Sequence, residues 1–178
     1  APITALAPSA AFYSASGKDY APAGSHYSFP ATDPVAEQVA SGAASTSYRT
    51  GQVTGGVYAP SGFQVYGSTF SLAEGIRRVE FRSIDNIGNE ELLKGATVHV
   101  DATTPASTLS VGTPQYAAGG GAPVIVSTAT PVTLAAQDPE SQEVASGVQV
   151  IRSRQDAAAF APYSSPFTLT GGDGLKTI

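Results

Sequence analysis

The stretch Gly75-Ile76-Arg77-Arg78-Val79-Glu80-Phe81-Arg82-Ser83-Ile84-Asp85-Asn86-Ile87-Gly88-Asn89-Glu90-Glu91 decides how this chain folds. Within it Val79, Phe81 and Ser83 fall on one side, and Arg78, Glu80 and Arg82 on the other. A period of two marks a half-buried strand. Asp85 to Glu90 then brings Asn and Gly together. Both accept positive φ and make side-chain turns, so a hairpin connection follows. Beyond it Ala96, Val98 and Val100 alternate with Thr97, His99 and Asp101. This predicts a second strand with the valines inward and His99 facing solvent.

Working outward, further strands are expected at Ile3–Ala7, Ser25–Ala31, Ala43–Arg49, Gln64–Tyr66 and Thr69–Leu72. Later in the chain they are expected at Ser107–Val111, Val132–Ala136, Val148–Arg152 and Phe167–Thr170. Many short strands separated by turn residues predict an all-β fold, a β-sandwich. The one helix-like piece, Asp156–Phe160, is too short to stand alone.

The chain also resembles itself. Asp33-Pro34 with Val39-Ala40-Ser41-Gly42 recurs 105 residues later as Asp138-Pro139 with Val144-Ala145-Ser146-Gly147. Pro2, Leu6, Tyr13 and Gly17 match Pro105, Leu109, Tyr116 and Gly120, and Phe70-Ser71-Leu72 matches Phe167-Thr168-Leu169. Self-similarity at a fixed spacing is the mark of a repeat architecture, here with a unit of about 104 residues. The expected domains are 1–104, a complete repeat, and 105–178, a second repeat that stops short of its C-terminal strand region.

Composition narrows the function. The 178 residues hold no Cys, Met or Trp, so neither a disulfide scaffold nor a cysteine metal site is available. The net charge of -5 argues against nucleic acid, which calls for a basic face. No apolar run approaches the ~18 residues of a membrane span. The absence of Met, with no signal peptide visible at Ala1-Pro2-Ile3-Thr4, suggests a processed chain or an internal piece of a longer one.

The run from Gly75 to Glu91 resembles a motif of bacterial extracellular Ig-like repeats: a glycine, an alternating strand, then D-x-x-G-N-x-E. Those repeats continue with a strand ending in D-x-T-x-P, matched here by Asp101-Ala102-Thr103-Thr104-Pro105. Earlier they carry T-D followed by S-G-V, matched by Thr32-Asp33 with Ser41-Gly42, and by Asp138 with Ser146-Gly147-Val148. The resemblance implies tandem Ig-like β-sandwich repeats in a secreted or cell-surface protein. Such modules occur in adhesins and surface stalks, and as accessory domains of glycan-degrading enzymes.

Candidate sites are few. His26 and His99 stand apart from any Ser or Asp triad motif, and no G-x-S-x-G elbow exists. No catalytic residue and no cofactor site is assigned, and the chain is read as not an enzyme. Asp33, Asp85, Asn86, Asn89 and Asp101 are oxygen donors at strand ends and form a candidate calcium set. Asx-turn capping accounts for the same residues without a metal. Tyr27 or Phe29, Tyr48, Tyr66 and Phe70 are expected in the core. Tyr20 and Tyr58, in loops, would be exposed and open to sugar stacking. Gly119-Gly120-Gly121 reads as a loop, since a phosphate cradle needs a following helix and usually a Lys.

The function expected is a noncatalytic structural or adhesive module: spacer, stalk or fibre subunit. Its partners would be neighbouring repeats or other copies joined by β-strand addition. The strand Gly174–Ile178, expected without a neighbour, would leave an edge and an apolar groove open to another chain. Ile3–Ala7 of a second copy is one candidate donor for that groove. The alternative is a carbohydrate-binding accessory module with surface glycans as partners.

Overall fold

The computed structural model describes residues 1–117 and 119–178. Every regular element among them is a strand, and no helix is present. The Asp156–Phe160 piece is a turn. No helix is long and apolar enough to cross a membrane. The chain divides into two compact units, Ala1–Thr103 with Glu140–Ser146, and Thr104–Pro139 with Gly147–Ile178.

The first unit runs β1 (Ile3–Thr4), β2 (Ala7–Pro8), β3 (Tyr13–Ala15), β4 (Lys18–Pro22), β5 (His26–Ser28), β6 (Ala31–Thr32), β7 (Ala43–Thr54), β8 (Val57–Pro60), β9 (Gln64–Val65), β10 (Phe70–Ser71), β11 (Gly75–Asp85) and β12 (Lys94–Asp101). Its large sheet has the order β3-β4-β12-β11-β7-β8, with β9 also on β7. Facing it are the sheet β10-β5-β2 and the pair β1-β6. The unit is therefore a β-sandwich.

The inward residues explain the two layers. Val79 and Phe81 of β11, Val98 and Val100 of β12 and Tyr48 of β7 meet Tyr27, Phe29 and Leu72 from the other side. Phe29 sits at the centre, with ring centroids 4.9 Å from Phe81, 5.2 Å from Tyr48 and Tyr66, and 5.3 Å from Phe70. Such tilted and offset pairs add to plain area burial.

β11 pairs antiparallel with both β12 and β7, as its alternation requires of a central strand. Gly51 on β7 marks a close approach: a Cβ there would lie 2.1 Å from the Ala59 carbonyl oxygen. Only glycine lets the β7–β8 hairpin close so tightly.

The second unit runs β13 (Ala106–Val111), β14 (Gln115–Ala117), β15 (Val124–Val126), β16 (Pro131–Gln137), β17 (Arg152–Ser153), β18 (Ala161–Pro162) and β19 (Phe167–Thr168). Its sheets are β13-β16-β19, β14-β15 and β17-β18. Several ladders keep the alignment of those in the first unit. Ile3↔Thr32 and Pro8↔Tyr27 become Ala106↔Gln137 and Val111↔Val132. Phe70↔Tyr27 becomes Phe167↔Val132, and Tyr13↔Tyr20 becomes Tyr116↔Ile125.

The strand expected over Val148–Arg152 is shorter than its sequence suggests: regular pairing covers only Arg152–Ser153, against β18. Its counterpart β7 lies along β11 over nine paired positions. Among the described residues, no strand of comparable length flanks Val148–Arg152. A strand's backbone groups need such a neighbour to form a ladder.

Candidate functional site

Four of the five oxygen-donor residues gather at one end of the first unit. Asp33 Oδ2 accepts hydrogen bonds from the backbone N–H of Ser41 and of Gly42, each at 2.9 Å. Gly42 takes φ 84°, where glycine is favoured. Asn86 closes the cluster, donating from Nδ2 to the Ser41 carbonyl at 2.6 Å and from its N–H to the Gly42 carbonyl at 3.1 Å.

Asp85 caps its own loop. Its Oδ1 accepts from the N–H groups of Ile87 and Asn89 at 3.1 and 2.8 Å, and its Oδ2 accepts from Asn89 Nδ2 at 2.7 Å. Burial works to raise the Asp85 pKa, but the hydrogen bonds from Asn89 and Ile87 outweigh it and hold the carboxyl below its usual value.

Asp101 stands at the other end of the sheet. It follows Val100, which pairs with Gly75 at the start of β11, whereas Asp85 ends that strand. At about 3.3 Å per residue the two carboxylates are roughly 33 Å apart. Asp101 accepts instead from the N–H groups of Thr103 and Ser146, at 3.0 and 2.7 Å. The set therefore does not converge on one point. Among the described residues, no group of three or more His, Cys, Asp or Glu is placed to hold a metal ion. What these side chains do in the structure is cap turns.

The Asp33 cap has a copy. Asp138 Oδ2 accepts from the Gly147 N–H at 2.6 Å, and Gly147 has φ 90°. Between the members of each motif lies a tight two-residue turn, Ala36 bridged to Val39 and Ser141 bridged to Val144. In both turns the central residues have positive φ without being glycine: Glu37 and Gln38 at 49° and 68°, Gln142 and Glu143 at 50° and 64°.

The ionisable group that sequence reading passed over is Glu91, the final acid of the D-x-x-G-N-x-E run. Its side chain is buried and accepts from the Thr4 N–H at 2.8 Å and the Ser83 N–H at 3.3 Å, and it pairs with the Lys94 ammonium. Beside it the hydroxyls of Thr4, Ser83 and Thr46 form a buried chain. Burial favours the neutral acid, yet the Lys94 and Thr4 hydrogen bonds prevail and lower the Glu91 pKa. The cluster ties the first strand to β11.

Two outward-facing expectations are corrected. His99 is only 8% exposed, because Tyr20 of the added strand β4 lies over it with ring centroids 5.3 Å apart. Burial, aided by the charge of Lys18, pushes the imidazole below its ordinary pKa. Glu80 is buried too. Arg49 and Arg78 reach over it, with Nε to carboxylate distances of 2.7 and 3.0 Å.

The aromatic core is as expected, but the outer rings differ. Tyr20 and Tyr58 lie on strands and are partly covered, with the Arg78 guanidinium 5.6 Å from the Tyr58 ring centre. Tyr13, on the edge strand β3 and 6.0 Å from Tyr20, is exposed, as are Tyr116 and Phe160. Gly119, Gly120 and Gly121 all take positive φ in the segment between β14 and β15, and no helix follows them. Ala118 lies outside the described residues.

Comparison with family models, with curated proteins and with solved structures finds no match. Function must then be argued from the packing and the sites themselves.

Proposed function

We propose that the chain is a noncatalytic structural module of a secreted or cell-surface protein, built of tandem Ig-like β-sandwich repeats and serving as spacer, stalk or fibre subunit. The observation that carries this reading is the recurrence of ladder alignment and capping Asp between the two units. A chain selected for one site needs its scaffold once. A chain selected for reach or multiplicity repeats it. Asp33, Asp85 and Asp138 cap turns and Glu91 pins strands, which fits a part that bears structure.

The test is accessibility on the intact source cell. Antibody against the chain should label whole cells, and added protease should remove the label. Label that appears only after lysis would overturn the reading. A second reading, a carbohydrate-binding accessory module, is favoured by the Tyr13–Tyr20 ring pair on the sheet edge. Saturable glycan-array binding that Tyr13→Ala abolishes would select it over the first.

A further inference from the structure

The segment Glu140–Ser146 interrupts the sequence of the second unit and packs with the first. The chain therefore passes between the units after Thr103, after Pro139 and after Ser146. The segment's neck is closed within the second unit, where Asp138 Oδ2 accepts from the Gly147 N–H at 2.6 Å. Its tip is the turn Ser141–Val144, shaped by positive φ at Gln142 and Glu143.

The β7–β8 hairpin receives this tip. Thr54 pairs with Val57, so Gly55 and Gly56 form the hairpin turn, both at positive φ. The Gly55 N–H lies outside the ladder and donates to both Glu143 carboxylate oxygens, at 3.0 and 3.2 Å. Gln52, on β7, donates from Nε2 to Gln142 Oε1 at 3.1 Å. Gly75 permits the close approach: a Cβ there would lie 3.2 Å from Gln142 Cβ. At the end of the segment the Ser146 N–H donates to Asp101 Oδ2 at 2.7 Å. The matched turn Ala36–Val39 has the same backbone shape and leaves Val39 72% exposed, whereas Val144 is 1% exposed. The shape is therefore local, and the burial of Val144 comes from where the turn is seated.

We infer that the β7–β8 hairpin tip is a recognition site for this strap, and that the strap couples the first unit to the fold of the second. The closed neck presents the turn already shaped, and the seated turn holds the hairpin. Recognition uses a carboxylate on an otherwise unladdered N–H, an amide pair, and a left-handed backbone at Gln142 and Glu143. A pre-shaped loop gives up little freedom on seating. With the neck open, the same turn becomes a slack tether at lower effective concentration. Loss of fold in the second unit therefore loosens the hairpin of the first. The inference rests on the structural-module reading for its use: a spacer or stalk bears load, and the strap gives that load a second path besides the chain at Thr103.

Amide hydrogen exchange of the whole chain, followed by NMR, tests this. The Gly55 amide should be protected in the parent, although it stands at a hairpin tip. Gln142→Ala with Glu143→Ala should speed its exchange about fivefold or more. Glu143→Gln keeps an acceptor and should keep most of the protection. Gln142 and Glu143 are exposed, so these variants should fold, and unchanged exchange at Val79 and Val98 checks that they do. Val132→Asp puts a carboxylate at a fully buried position of the second unit and should unfold it, as loss of protection at Leu134 would mark. Gly55 exchange should then rise as it does in the double variant.

A Gly55 amide that exchanges at an open-loop rate in the parent, or one indifferent to the double substitution, overturns the recognition site. A Gly55 amide still protected once Leu134 exchanges freely overturns the coupling. Either result leaves the module reading standing, because whole-cell labelling decides that reading. If labelling fails while Gly55 behaves as expected, the load-bearing use falls and the strap remains.

Discussion

Replacing Glu91 with Ala removes the acceptor that holds the first strand against β11. Two backbone N–H groups, those of Thr4 and Ser83, lose their partner in a buried setting. Each buried donor left unsatisfied costs about 1–3 kcal/mol. Lys94 also loses its ion pair, but its side chain is 40% exposed and regains water, so it adds little. The expected loss is about 3 kcal/mol, since part of the cost is recovered if the first strand frays and lets water in. Urea unfolding followed by tyrosine emission suits the measurement, because six of the eight tyrosines precede residue 104. Glu91→Gln keeps a neutral acceptor and should cost roughly half as much. The two variants also differ from the parent in pH response. The folded carboxyl titrates below its unfolded value, so its contribution is complete above the ordinary carboxylate range and is lost as pH falls through the folded pKa. Both variants should flatten that acid limb. A loss below about 1 kcal/mol for Glu91→Ala, or an unchanged acid limb, would refute the reasoning; such a small effect is what an exposed site gives.

Phe29→Ala, at the centre of the aromatic cluster, should cost about 3–5 kcal/mol in the same assay. Asp33→Ala and Asp138→Ala each remove a turn cap and should cost about 1–2 kcal/mol, with Asp33→Asn recovering part of the loss in differential scanning calorimetry. His99 is held below its ordinary pKa, so the unfolded state binds its proton first and stability should decline as pH drops below the ordinary histidine value; His99→Asn should remove that component from a melting-temperature profile. Calcium chloride or EGTA should leave the melting temperature unmoved, because the Asp85 oxygens already accept three hydrogen bonds from the chain itself, whereas a rise with calcium would reveal a site.

Sequence reading reached the strands whose pattern is imposed by one buried face. β11 and β12 were legible because Val79, Phe81, Val98 and Val100 must all point inward. Period two says which side a residue faces and nothing about what covers that side. His99 and Glu80 were misplaced for that reason: Tyr20 lies over the first, while Arg49 and Arg78 fold over the second. Val148–Arg152 has the composition of a strand, yet a ladder depends on a neighbour that no local pattern encodes. Among the candidate ligands, a capping role for Asp33 was expected from its residue type, but its partners, the N–H groups of Ser41 and Gly42, became visible only in the fold. The distance between Asp85 and Asp101 required the pairing register of β11 with β12.

The matched ladders also set a hazard for the nascent chain. Phe70 docks beside Tyr27 in one unit and Phe167 beside Val132 in the other, with the same backbone alignment. Backbone geometry alone would let β10 settle against β16, or β19 against β5. Misassembly between alike neighbours is a known failure of repeated folds. The side chains discriminate. Val132 in place of Tyr27 would leave a ring-sized void among Phe12, Phe29 and Phe70, and Tyr27 in place of Val132 would overfill a smaller site. The difference between the two ladders, Tyr27 in one and Val132 in the other, disfavours both mixed pairings.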